Sequence, residues 1–151
     1  MAYGVFETPL GNMVATADEK GVCTLDFDDD AIISCDANVH LVQLRDELAE
    51  YFAGKRNVFH VALNPKGTPF QMRAWRVMCD IPYGATISYT QEAQMLDHVR
   101  AVRAVANANG KNPVPILIPC HRVIAKSGDV AGYRGGIWRK ELLLELERKN
   151  R

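Results

Sequence analysis

The chain has 151 residues, is 48% apolar and carries 18 Lys plus Arg against 18 Asp plus Glu, a formal net charge of zero. It is long enough to bury a sizeable core, as one domain or as two small ones. It shows no long uncharged apolar run and no leader with a basic start and a cleavage site, so a soluble, unexported cytoplasmic protein is expected rather than a membrane span.

Residues 3–7, 13–17 and 22–27 read as short strands, separated by Pro9-Leu10-Gly11-Asn12 and Asp18-Glu19-Lys20-Gly21, which predicts a small antiparallel meander. The acidic run Asp28-Asp29-Asp30 lacks the spaced ligands and turning glycine of a calcium loop and reads as a solvated turn. Leu41, Leu44, Leu48 and Phe52 recur at helical spacing before Gly54, predicting an amphipathic helix over 41–53, and residues 58–63 read as a further strand.

The segment 64–69, Asn-Pro-Lys-Gly-Thr-Pro, is the expected linker, dividing the chain into domains 1–66 and 67–151. Charge changes sign across it. Residues 1–67 hold 5 basic and 11 acidic side chains, net −6, and residues 68–151 hold 13 and 7, net +6. A basic C-terminal part is the footprint that phosphate binding requires, although scattered solvated charges would give the same count.

Beyond the linker, Phe70, Ala74, Val77 and Ile81 share one face of a predicted helix that stops before Pro82, with Trp75 read as packing. Ser88 and Gln91 have capping-box spacing and open a short helix toward Leu96; a second helix is predicted from Val99 to about Asn109. Two short helices and a tight turn read as a helix-turn-helix. On the second, Arg100, Arg103 and Asn107 recur at helical spacing, and Ala104 with its neighbouring alanines would let a backbone approach DNA closely. On this pattern alone, alanines that merely favour helix and arginines that are merely solvated account for it equally well.

Asn109-Gly110-Lys111-Asn112-Pro113 breaks the helix and leads through Val114-Pro115-Ile116-Leu117 into Ile118-Pro119-Cys120-His121-Arg122-Val123. A thiol beside an imidazole, in a proline-stiffened apolar segment, is where a nucleophile is expected. The four cysteines show no C-x-x-C pairing, so no disulfide framework is expected, and a reducing cytoplasm suits a reactive thiol. A buried structural cysteine is the alternative. Adjacent residues of a strand point to opposite faces, so His121 can serve Cys120 only if the chain turns there or a water bridges them. Residues 125–136 hold four glycines around Tyr133 and Arg134, as a pocket lid or a plain surface loop would, and residues 138–148 close the chain as a leucine-rich helix carrying Glu147.

From about Gly67 to Glu147 the chain resembles the O6-alkylguanine-DNA alkyltransferases, also called methylated-DNA–protein-cysteine methyltransferases. The resemblance is carried by Gly67-Thr68-Pro69-Phe70-Gln71, Ile81-Pro82-Tyr83-Gly84, Ser88-Tyr89, Arg103-Ala104-Val105-Ala106, Asn112-Pro113, the cysteine segment and Gly132-Tyr133-Arg134-Gly135-Gly136, in the family's order. The N-terminal part resembles the family mainly through Thr8-Pro9-Leu10-Gly11. The expected fold class is α+β, a small N-terminal antiparallel-sheet domain packed on a mainly helical C-terminal domain with a winged helix-turn-helix.

The resemblance implies a DNA repair protein that flips an O6-alkylguanine from duplex DNA and transfers the alkyl group irreversibly to Cys120, in one stoichiometric turnover. It implies His121 as a base acting through water, Glu147 as its orienting carboxylate, Asn112 as the hinge before the cysteine turn and Tyr89 as the residue that helps rotate the nucleotide. Arg103 would fill the stack, with Arg100, Asn107 and Ala104 on the DNA-binding helix. Pro115, Val123, Tyr133, Arg134 and Gly135 would shape the alkyl pocket; Arg134 stands where some relatives have serine. No cofactor and no metal are expected, since only Cys23 and His60 match a structural zinc set found in some relatives. The expected partner is double-stranded DNA, bound by a monomer. A lesion sensor that does not repair and a winged-helix transcription factor are the rival readings; both predict DNA binding without alkylation.

Overall fold

The computed structural model describes residues 1–130 and 132–151. The chain forms two compact units, Met1–Lys66 and Gly67–Arg151. In the first, β1 (Ala2–Thr8), β2 (Gly11–Ala17), β3 (Val22–Phe27) and β4 (Ser34–Cys35) form one antiparallel sheet of order β3-β2-β1-β4. The meander is the one the turn residues predicted; β4 was not, because a two-residue strand leaves no alternating pattern. The β1–β2 turn is closed by Thr8, whose hydroxyl donates to the Gly11 carbonyl at 2.6 Å. Met13, Ala15 and Ala17 alternate inward along β2 and, with Val22 and Leu25 of β3, form the apolar face on which α1 (Val39–Phe52) packs.

Asn38 caps α1 by accepting from the amides of His40 and Leu41, and the buried stripe is Leu41, Leu44, Leu48 and Tyr51. Glu47 lies on the same buried side, and it explains why residues 58–63 are not the strand expected from their composition. Its Oε1 accepts from the His60 amide at 2.8 Å and the Val61 amide at 3.2 Å, so a helix carboxylate takes donors that a ladder would use. Only the Val22–Leu63 bridge remains. The acidic run at Asp28, Asp29 and Asp30 is an exposed turn, in which the Asp30 amide donates to the Asp28 carboxylate.

The second unit contains α2 (Pro69–Cys79), β5 (Ile87–Ser88), α3 (Tyr89–Met95), α4 (Val102–Gly110), β6 (Val123–Ile124) and α5 (Ile137–Asn150). Capping boxes open α2, through Thr68 and Gln71, and α3, through Ser88 and Gln91. Trp75 is a packing residue: it is buried on α2, and its indole N–H donates to the Ala108 carbonyl of α4 at 2.9 Å. α4 begins three residues later than its composition suggested. Asp97 takes a positive φ of 57°, and the Ala101 amide donates to His98, so residues 97–101 are a turn and Arg100 lies in it. The short strands β5 and β6 pair in parallel, Ile87 with Val123 and Ser88 with Ile124, bringing the start of α3 beside the residues that follow Cys120.

Candidate active site

The approach to Cys120 is a buried, strained turn. Residues 114–119 are all buried, and Ile116, a β-branched residue, sits at φ 76°. Such a conformation costs about 1–3 kcal/mol and persists only where its surroundings enforce it. Asn112 is the enforcing group: its buried amide donates to the Ile118 carbonyl at 2.7 Å and accepts from the Val114 amide at 2.9 Å. Pro115, also buried, bridges to Ile118 across the same turn.

The chain then tightens into a single 3-10 turn, Cys120–Arg122, closed by the Arg122 amide on the Pro119 carbonyl at 3.0 Å. This satisfies the first condition set by the adjacent thiol and imidazole. In a 3-10 turn neighbouring side chains diverge by about 120° rather than the near 180° of a strand.

His121 is fully buried, and its Nε2 meets the Glu147 Oε2 at 2.6 Å. Glu147 is not a solvated helix end: it is 1% exposed and projects from the last turns of α5 into the site. Arg122 grips the same carboxylate, Nε to Oε1 at 2.8 Å and Nη2 to Oε2 at 2.9 Å, while its Nη1 donates to the Ile81 carbonyl at 2.8 Å. The Gly84 amide donates to Oε1 at 3.2 Å. Burial alone would raise the Glu147 pKa, but the His121 hydrogen bond and the Arg122 charge overcome it and hold the group well below the usual carboxylate range.

Burial holds His121 below its ordinary value against the pull of Glu147. A neutral imidazole beside an ionised carboxylate donates from Nε2, which leaves Nδ1 as an acceptor; among the described residues Nδ1 has no hydrogen-bond partner. The protein thus presents a neutral base with its accepting nitrogen unspent.

Cys120 keeps an intermediate exposure, unlike its neighbours on either side. Burial pushes its thiol pKa up, opposed by the Asn112 amide and by the positive charges of Lys140 and Arg134. Tyr89 and Tyr133 both feel the Cys120 charge, after burial, as a reason to stay protonated. The sequence-predicted residues Tyr89, Asn112, Tyr133 and Arg134 therefore surround one thiol. Gly132, at φ 64°, passes close to Tyr89; a Cβ there would lie 3.8 Å from the Tyr89 hydroxyl. Val123 is fully buried, and the Gly135 carbonyl accepts from Arg139 at 3.1 Å. Within the predicted lid 125–136, Ala131 lies outside the described residues.

On α4, Val105, Ala108 and Asn109 face inward, whereas Arg103, Ala104 and Asn107 share the exposed side. Arg100 is exposed too, but from the preceding turn, so it is not the helical neighbour of Arg103 that their spacing suggested.

Two site residues had no assigned role in the sequence. Arg122 stood inside the quoted Cys-His-Arg segment, yet nothing local marks an arginine as the partner of a carboxylate 25 residues away. Lys140 is fully buried; its Nζ donates to the Val123 carbonyl at 2.7 Å and the Gly132 carbonyl at 3.2 Å, tying β6 to the glycine loop. Its signal was present in the spacing of Lys140, Leu143 and Glu147, which are the buried residues of α5. Among the described residues no group of three or more His, Cys, Asp or Glu side chains is placed to hold a metal ion, and no helix is long and apolar enough to cross a membrane.

Comparison with known proteins gives the same picture over the whole chain. Residues 1–65 match the family model "6-O-methylguanine DNA methyltransferase, ribonuclease-like domain", and residues 69–149 match "6-O-methylguanine DNA methyltransferase, DNA binding domain". A methylated-DNA–protein-cysteine methyltransferase of Methanosarcina barkeri is 40% identical over 156 residues, covering 99% of each chain. One from Mycobacterium tuberculosis is 52% identical over 103 residues, 68% of this chain and 62% of that protein. The crystal structure of Mycobacterium tuberculosis OGT in complex with DNA superposes with a TM-score of 0.90 at 38% identity, covering 98% of this chain and 93% of that one. A mixed α and β architecture, a cysteine turn braced by asparagine and relatives matched end to end converge on one assignment: the chain belongs to the 6-O-methylguanine DNA methyltransferase family, the methylated-DNA–protein-cysteine methyltransferases.

Proposed function

We propose that this protein repairs DNA by taking the alkyl group of an O6-alkylguanine onto Cys120, in a single irreversible turnover, as a monomer in the cytoplasm. Family membership supports the reaction class. The observation that carries the reading is the neutral, fully buried His121, whose Nε2 is committed to Glu147 at 2.6 Å beside a partly exposed thiol.

The thiol is a poor nucleophile until its proton leaves, and burial makes that harder. His121 Nδ1 accepts the proton through an intervening water, and Glu147 stabilises the imidazolium that results. Sulfur then attacks the alkyl carbon in line, the bond from that carbon to O6 breaks, and the electron pair returns to guanine, which takes up a proton. The thioether formed is stable, because a thiolate is a poor leaving group from an alkyl carbon and the released guanine is a weak nucleophile, so each molecule acts once. Lys140 and Arg134 add positive charge where the thiolate forms. The part from Gly67 onward is the DNA-binding and alkyl-transfer domain, and α3 with α4 is its winged helix-turn-helix. Arg103 enters the stack vacated by the flipped base, with Asn107 and Ala104 on the same face and Arg100 flanking; Tyr89 assists rotation of the nucleotide. Pro115, Val123, Tyr133, Arg134 and Gly135 enclose the alkyl group.

Intact mass spectrometry after incubation with duplex DNA containing one O6-methylguanine tests this. The expected result is one methyl group per protein, localised to Cys120 by peptide mapping, with unmodified guanine left in the DNA. DNA binding with no mass change would instead identify a lesion sensor.

A further inference from the structure

The interface between α3 and α4 holds a buried carboxyl–carboxamide pair that the alkyl-transfer chemistry does not use. Glu92 of α3 is completely buried, and its Oε1 accepts from the Asn109 side-chain amide of α4 at 2.6 Å. The other two polar atoms of the pair, Glu92 Oε2 and Asn109 Oδ1, have no hydrogen-bond partner among the described residues. Both are acceptors while Glu92 is ionised, so two buried groups are left unsatisfied by the same electronic state.

One proton resolves both. A carboxyl and a carboxamide are planar groups of matching shape; set edge to edge in one plane, and joined by the Asn109 amide on Oε1, they leave Oε2 facing Oδ1, the two buried acceptors that have no partner among the described residues. A proton on Oε2 then donates to Oδ1 and closes a ring of two hydrogen bonds. Turning the amide over exchanges the two bonds and still requires one proton. We propose that Glu92 is a positioning residue that works as a neutral acid, joined to Asn109 in a two-bond ring that clamps α3 to α4. The clamp fixes Tyr89, at the start of α3, relative to Arg103 on α4, and so presents both to duplex DNA; this last step rests on the function proposed above.

Among the described residues no cation competes for the role, and Asp97, His98 and Arg100 in the turn after α3 are exposed. α4 offers Arg103 and α2 offers Arg73, Arg76 and Cys79, all on the exposed surface; β5 and β6 carry no titratable side chain. On α3 itself, Tyr89 feels Glu92 only as a repulsive charge. Burial accordingly pushes the Glu92 pKa up to about 7, with the Asn109 amide alone opposing it. The sign follows. Well below pH 4.5 the carboxyl is protonated both folded and unfolded; as pH rises through 4.5 toward 7 the unfolded chain releases the proton first, so stability falls, and above 7 the folded protein holds an unpaired buried carboxylate.

Glu92→Gln replaces the acid by an amide that can form the same ring at every pH. Chemical denaturation of the full chain from pH 5 to pH 8 should show the unfolding constants of variant and wild type diverging by on the order of 100-fold in favour of the variant as pH rises. A gap that does not change with pH overturns the clamp. So does a wild-type Glu92 carboxyl that titrates near 4.5 by carbon-13 NMR, a measurement that needs no variant. For positioning, single-turnover rates on duplex O6-methylguanine DNA and on free O6-benzylguanine are compared at pH 6 and 8.5. The duplex-to-free ratio should drop several-fold with pH in wild type and stay level in Glu92→Gln; parallel behaviour of the two proteins overturns the positioning role. If free O6-benzylguanine fails to alkylate wild-type Cys120, the alkyl-transfer reading falls, and the denaturation arm still decides the clamp.

Discussion

Arg122 holds Glu147 through two parallel hydrogen bonds, at 2.8 and 2.9 Å, inside a site where both side chains are nearly inaccessible to water. The carboxylate that orients His121 is therefore already partly neutralised by a fixed cation. Glu147 thus fixes the imidazole's tautomer and, with part of its charge offset by Arg122, still favours the protonated ring. Removing one member of a buried pair strands the other, at about 3–5 kcal/mol. Arg122→Met should cost that much in chemical denaturation. Because the penalty comes from the stranded partner, Arg122→Met combined with Glu147→Gln should cost less than the sum of the single changes, as a double-mutant cycle would measure.

Glu147→Gln alone should slow single-turnover transfer from free O6-benzylguanine and raise the apparent pKa of Cys120, since an uncharged partner supports imidazolium less well. The pH dependence of that rate is the readout; an unchanged profile in a folded variant would remove Glu147 from the relay. The same carboxylate sets acid sensitivity. Its folded pKa is depressed, so its contribution is complete above the ordinary value of 4.5 and is lost as pH falls below it. Acid denaturation of wild type should show this loss, and Glu147→Gln should flatten it.

Cys120→Ser should abolish alkyl uptake and leave DNA affinity nearly intact. A hydroxyl is a far weaker nucleophile in this site, while the residues proposed to bind DNA are those of α4. Mass spectrometry and a binding titration check the two halves separately.

Arg103→Ala should slow repair in duplex DNA much more than attack on free O6-benzylguanine, because only the duplex reaction extrudes a base and must fill the gap. Its side chain is exposed on α4, so thermal stability should be almost unchanged. Equal losses on both substrates would contradict the stack-filling role.

Asn112→Ala should destabilise the cysteine turn by about 1–3 kcal/mol for each buried group it orphans, the Val114 amide and the Ile118 carbonyl. With its brace gone, the strained Ile116 can relax, and transfer to Cys120 should fall on duplex and free base alike. Denaturation and single-turnover kinetics together distinguish this from a DNA-binding defect.

Much of this protein was legible in local chemistry. Turn residues set out the meander of β1, β2 and β3, and capping boxes marked the starts of α2 and α3, because caps and tight turns are satisfied within a few residues of chain. The order of short motifs around Cys120 was enough to resemble one family. Where a donor could choose between a local and a distant partner, sequence reading failed. Residues 58–63 had strand composition, but the Glu47 carboxylate claimed their amides; residues 99–101 had helical composition, but the turn at Asp97 withheld them from α4.

The chemistry of the site belongs to that second class. Sequence alone determined which residue types were present: a thiol, an imidazole, and a carboxylate whose helix end could equally have been solvated. Only the tertiary structure decided that Glu147 is buried, that Arg122 neutralises it, that Lys140 ties β6 to the glycine loop, and that Glu92 is buried against the Asn109 amide. The physical reason is that burial and charge pairing depend on which side chains arrive from other elements. Those terms set every protonation state in the site, and they are fixed only when α5 and α4 have packed.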